Sequence, residues 1–239
     1  EETLDPRSQK QGDTKEGYYI GREVVDSNPA RFAGPNVWPP QQDEFRSIMM
    51  DYFDKMMVVG QRVVRLLALS LGLEAKFFDE YFTEPLAVLR MLHYNSTMSD
   101  VSKGILGAGA HSDYGMITLL WTDRTPGLEV WSDNAWQSVE PKAGHFIVNL
   151  GDMLERWTNG MYRSTKHRVV VTSSCERYSA PFFYEPNFDA QVSCIDVCTS
   201  DDNPPKYPPI TSGEHLLQKY KETHTDFTPA EAKGESEAV

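Results

Sequence analysis

Two short patterns in this chain have the residue types and spacing to do chemistry. The first is His111-Ser112-Asp113, placed where the chain enters the apolar run at 116–121. On a strand, residues i and i+2 project from one face, so the imidazole and the carboxylate point the same way. Gly107, Gly109 and Ala110 keep bulk away from them. A histidine and an aspartate directed into an apolar interior need a partner that offsets their desolvation, and a metal ion is the commonest one. The triple alone is weak: 6 His and 35 acids give about one by chance. A second, His224-Thr225-Asp226, lies in a polar stretch with no apolar strand after it and serves as an internal control. A third ligand must come from His93, His145, His167 or His215. His167 is the best placed, because it opens the β-branched run Val169-Val170-Val171, with Arg168 facing away. His145 also falls on an expected strand, where a hydrogen-bonded structural histidine is at least an equal account. Two histidines and one carboxylate on one face of an octahedral ion leave three positions open, which selects non-haem iron(II) and oxygen chemistry over closed structural zinc. Zinc carrying a water fits the same ligands.

The second pattern is Arg177-Tyr178-Ser179, again an i, i+2 pair on an expected strand. An inward guanidinium beside an inward hydroxyl is a carboxylate receptor, with two parallel hydrogen bonds from the fork and one from the hydroxyl. The competing account is an outward arginine in a surface ion pair. Parity argues against it: Pro181 and Phe183 share the face of Arg177 and Ser179, and Phe183 belongs inside. On the strand ending at Tyr94, the matching face holds Arg90, Leu92 and Tyr94. Tyr94 can join the receptor or simply pack in the core. Phe183 would form an apolar or aromatic wall of a substrate pocket, and Arg90 an inward charge for an anionic group or half of a structural ion pair.

The elements that must hold these residues follow from periodicity. Residues 1–42 are polar and turn-rich, with Asn28-Pro29, Gly34-Pro35 and Pro39-Pro40, and read as an arm with at most short strands. From Asp43, apolar residues at Phe45, Ile48, Met49, Tyr52, Met56, Val59, Val63, Leu66 and Leu67 fall at helical spacing and predict one long amphipathic helix that Gly72 stops. A short helix over 75–81 follows. After Pro85 the period drops to two, and strands are predicted at 86–94, 115–122, 127–131, 135–139, 145–150, 166–172, 177–184 and 190–195, with a helical turn at 151–158. Most gaps between them are too short for parallel crossovers, so the fold class is mostly β with flanking helices, a sandwich or barrel. A last amphipathic segment spans 214–221, and an acidic tail begins near Thr228. A chain of 239 residues with net charge −12 repels phosphate backbones, which excludes nucleic acid as an expected partner. No run approaches the roughly 18 apolar residues of a membrane span, and Glu1-Glu2 stand where a secretory leader would carry bases. Three cysteines suit reduced thiols in the cytoplasm better than a disulfide framework. Nothing in the pattern sets an oligomeric state.

Taken in order, His111-Ser112-Asp113, Asn149-Leu150-Gly151-Asp152, Thr158-Asn159-Gly160, His167-Arg168-Val169 and Arg177-Tyr178-Ser179 with Phe183 and Pro186 resemble the iron(II) and 2-oxoglutarate-dependent dioxygenases of the isopenicillin N synthase-like family. The resemblance runs from about Lys15 to about Phe227. It implies a double-stranded β-helix (jelly-roll) barrel backed by the long helix, with an arm at 1–42, an oxygenase domain at 43–227 and an acidic, disordered tail at 228–239. It further implies Fe(II) held by His111, Asp113 and His167, the cosubstrate 2-oxoglutarate gripped at its distal carboxylate by Arg177 and Ser179, and Tyr94 matching a tyrosine that helps in that grip. The implied reaction uses dioxygen to hydroxylate, desaturate or cyclise a small organic molecule, releasing succinate and CO2. Members usually carry a segment before the point where this chain starts, supplying an early strand and part of the substrate pocket, so adding one should raise turnover. Two other readings remain: a 2-oxoglutarate-independent Fe(II) oxidase in which Arg177 and Ser179 receive a substrate carboxylate, and an inert metal-binding jelly-roll module.

Overall fold

The computed structural model describes residues 12–25, 28 and 31–223. The acidic tail and the control triple at His224 lie outside these residues. One helix, α1 (Asp43–Ser70), occupies the predicted span, with Asp43 and Glu44 in its first turn, where acids meet the positive end of the helix dipole. It ends just before Gly72, whose φ of 75° is the left-handed conformation that glycine adopts without strain. Its buried stripe is Phe53, Met56, Gly60, Val64 and Ala68. This corrects the expected face, since Ile48 and Leu66 are 53% and 63% exposed. The helix has more apolar positions than one stripe can bury, and the chosen stripe contains its small residues, which lets it approach a sheet closely.

The strands are β1 (Lys15–Gly21), β2 (Leu86–Tyr94), β3 (Ala108–His111), β4 (Ile117–Thr122), β5 (Leu128–Ser132), β6 (Ala135–Ser138), β7 (Ile147–Leu150), β8 (His167–Val169), β9 (Arg177–Glu185), β10 (Gln191–Val192) and β11 (Ile210–Thr211), with helices α2 (Asp152–Trp157) and α3 (Ser212–Thr223). They build a five-stranded sheet in the order β1-β2-β9-β4-β7 and a four-stranded sheet in the order β3-β8-β5-β6, with all neighbours antiparallel. The fold is thus mostly β with few helices. The arm, read as ordered with at most short strands, contributes one strand of seven residues, β1, which pairs with β2 along its whole length. Three expectations are trimmed. The strand at 190–195 shrinks to the two residues of β10, the strand at 166–172 stops at Val169, and the helix at 75–81 is a 3-10 turn, Asp79–Phe82.

Alternation divides the five-stranded sheet into two working faces. Ile20, Leu89, Leu119, Ala180, Phe182 and Tyr184 pack on α1 in one core. Leu92, Tyr94 and Leu120 pack from the opposite face against Ala108, Leu128 and Val169 of the four-stranded sheet in a second core. A Cβ on Gly60 would stand 2.9 Å from the Tyr184 ring, so this glycine sets the distance between α1 and the sheet. Gly60→Val should therefore cost about 1–3 kcal/mol through overpacking. Thermal denaturation should show it as a melting point lower by about 2–4 °C per kcal/mol in a domain of this size.

Candidate metal and cosubstrate site

His111 ends β3, and His167 opens β8 directly opposite it in the ladder, so cross-strand pairing brings the two rings to a centroid distance of 4.3 Å. Asp113 is not on a strand with His111, as the i, i+2 argument expected. It lies in the turn between β3 and β4, which is held by backbone N–H bonds from Gly151 to Met116 and from Asp152 to Asp113. The turn nevertheless carries its carboxylate back to the histidines. His111 Nε2 and His167 Nε2 are 3.9 and 3.6 Å from Asp113 Oδ1. Among the described residues this is the one group of three in which a ligand atom from each residue lies within 4.8 Å of the others.

The tautomers are fixed by backbone oxygens, which can only accept. His111 Nδ1 donates to Gly109 O at 2.8 Å, and His167 Nδ1 donates to Thr165 O at 3.1 Å. Both Nε2 lone pairs are left for the shared point beside Asp113. Burial above all, then the adjacent His167, holds His111 well below the ordinary imidazole value, so it is a neutral donor at physiological pH. Asn149 Nδ2 donates to Asp113 Oδ2 at 3.3 Å, orienting the carboxylate. The other histidines go elsewhere. His145 is exposed in the turn before β7, correcting its placement on a strand, and bonds Ala143 O. His93 faces away from this centre, between Glu16 and Tyr178, and His215 Nε2 donates to Tyr114 O.

A cavity of about 350 Å³ between the sheets joins this triad to Arg177, Ser179, Phe183 and Tyr94. Arg177 is 2% exposed, and its Nε and Nη1 have no hydrogen-bond partner in the protein. The outward ion pair is thereby excluded. Tyr94 sits beside Arg177 in the β2–β9 register, with the guanidinium 4.9 Å from its ring centre, and burial raises its pKa. Arg90 also lines the cavity, its guanidinium carbon over the Tyr19 ring at 4.5 Å from the ring centre.

Sequence reasoning missed Glu185 and, though Asn149 belongs to the family pattern, gave Asn149 no role at the site. The signal for Glu185 was present, since the parity running through 177, 179, 181 and 183 reaches it. Its carboxylate accepts the Met116 N–H and fills the space a Gly115 side chain would need. Burial raises its pKa to about 8 from the ordinary 4.5, with the charge of Asp113 adding to the rise. The fold therefore holds a proton there that the unfolded chain releases near 4.5, and stability present at acid pH is lost as pH rises through about 8. Glu185→Gln keeps a neutral acceptor. Denaturant midpoints should move in the variant's favour, relative to the parent, as pH rises across that window.

Residues 85–186 match the model of the 2OG-Fe(II) oxygenase superfamily. Kihadalactone A synthase of Citrus sinensis is 39% identical over 236 residues, 93% of this chain and 70% of that protein. A 2-oxoglutarate-Fe(II) type oxidoreductase, hxnY, of Emericella nidulans is 39% identical over 88% of this chain and 63% of its own length. Among solved structures, a full-length Neurospora crassa protein in complex with alpha-KG and thymine superimposes with a TM-score of 0.81 at 36% identity, over 92% of this chain and 70% of that one. The chain belongs to the 2OG-Fe(II) oxygenase superfamily. It spans about two thirds of the length of these relatives. No helix among the described residues is long and apolar enough to cross a membrane.

Proposed function

We propose that the chain is an Fe(II)- and 2-oxoglutarate-dependent dioxygenase acting on a small organic molecule in the reducing cytoplasm. Its two sheets are the walls of a double-stranded β-helix whose strands lie within the oxygenase domain that begins at residue 43, with the 1–42 arm adding β1 to one edge. The single observation that carries the reading is the placement of a buried arginine with unmet donors in the same cavity as a converging His-Asp-His group. His111, Asp113 and His167 hold the iron. When bound, the iron would let dioxygen act as the oxidant, with 2-oxoglutarate giving up two of the four electrons as it becomes succinate and CO2 and the organic molecule the other two, in hydroxylation, desaturation or ring closure. The rest is the protein's part. Arg177 receives the distal carboxylate in a bidentate, charge-assisted pair, Ser179 adds one hydrogen bond, and Tyr94 closes the cavity beside them. The apolar walls keep water from the reacting atoms. Phe183 and Arg90 lie farther along β9 and β2, where they face substrate.

Ligand truncation tests this reading. Under anaerobic conditions the iron-loaded protein should bind 2-oxoglutarate more tightly than pyruvate, which lacks the distal carboxylate, and more tightly than glutarate, which lacks the keto oxygen. Equal affinity for pyruvate would show that Arg177 does not receive the carboxylate.

A further inference from the structure

The arm reaches the metal centre through one residue of β3. Pairing of β3 with β8 is irregular between Ala108 and His111, so the intervening residues fall out of the regular ladder. Gly109 lies in that irregular stretch, and its N–H donates to Asp13 Oδ1 at 2.9 Å. The carbonyl of the same residue receives the His111 Nδ1 proton at 2.8 Å. Next to Asp13, Thr14 donates its N–H to Leu106 O, so the arm laces the edge of the four-stranded sheet to β1 on the edge of the other. Asp13 is ion-paired to Lys15, and the two side chains are only 2% and 4% exposed. Such a buried pair holds a carboxylate in one place, and its oxygen makes a stronger bond to a backbone N–H than a neutral acceptor does.

Resting on the assignment of His111 as an iron ligand, we propose that Asp13 is a positioning residue that presets His111 for the metal through Gly109, with Lys15 as its counter-ion. Asp13 touches neither metal nor cosubstrate. It fixes the backbone whose carbonyl selects the His111 tautomer and ring angle. Loss of a partner that orients a ligand costs about 10–100-fold in metal affinity, and a residue acting one link further out belongs at the lower end, about tenfold.

The test is anaerobic Fe(II) titration of the full chain and its variants, with the visible spectrum of the Co(II)-loaded protein as a report on ligand geometry. Asp13→Ala should weaken Fe(II) binding about tenfold and alter the Co(II) spectrum. Asp13→Asn, which keeps an oxygen for Gly109 but gives up the charge that pairs with Lys15, should fall between the parent and Asp13→Ala. Asp13→Glu, which keeps the charge and displaces that oxygen, should fall with Asp13→Ala. Should Asp13→Ala fail to fold, the Asn and Glu variants decide. Higher affinity in Asn than in Glu supports positioning, and equal affinity in the two overturns it. Parent-like affinity and spectrum in a folded Asp13→Ala also overturn it. His111→Ala serves as the separate control. If it binds Fe(II) as the parent does, the ligand assignment itself falls, and the positioning role with it.

Discussion

His167→Ala should lose Fe(II) binding and turnover together, and Asp113→Ala and His111→Ala should do the same. Among the described residues, one ligand atom from each of three residues converges on the site, so removing one takes a third of the protein's grip. The loss should exceed the about 10–100-fold that removal of an outer partner costs. Asn149→Ala frees one Asp113 oxygen without removing a ligand and belongs within that smaller range. His145→Ala should leave iron affinity at the parent level, because its ring is exposed and bonds only Ala143 O among the described residues. Anaerobic metal titration of the five variants checks the ordering. Full iron affinity in His167→Ala would contradict the site.

Arg177→Leu should weaken 2-oxoglutarate binding while leaving iron affinity nearly unchanged. Removing one partner of a buried, bidentate charge pair costs about 3–5 kcal/mol, because the other charge stays buried and unpaired. That is a factor of roughly a hundred or more in affinity. Ser179→Ala removes a single hydrogen bond to a charged group and should cost about 1.5–3 kcal/mol. Calorimetric titration of iron-loaded variants separates the two. If Arg177→Leu leaves 2-oxoglutarate binding intact and abolishes binding of the organic substrate, the guanidinium is a substrate receptor.

Where the chain repeats one period over many residues, its structure is readable from the sequence. β2 runs over the span that alternation predicts, α1 keeps its helical limits, and parity along β9 places Arg177, Ser179 and Phe183 in the cavity. The His111–Asp113 pair shows the limit of such reading. Spacing of two suits a strand, yet the chain turns after His111 because the 113–116 segment is claimed by the backbone of 151–153. Periodicity also could not choose among the apolar stripes of α1, since that choice depends on the closeness Gly60 allows to Tyr184. The supporting groups were the least legible. Asn149 to Asp113, Met116 to Glu185 and Gly109 to Asp13 are bonds across 36, 69 and 96 residues, and no local pattern announces a partner at that distance.

The measurement that bears most directly on the proposed activity is succinate and CO2 formation from 2-oxoglutarate, followed with dioxygen uptake across a panel of small acids and aromatic compounds. Both products should form in step with dioxygen consumed, rise when a substrate is present, and vanish in His167→Ala. Dioxygen uptake driven by an organic substrate with no succinate would contradict 2-oxoglutarate dependence and establish the 2-oxoglutarate-independent oxidase instead.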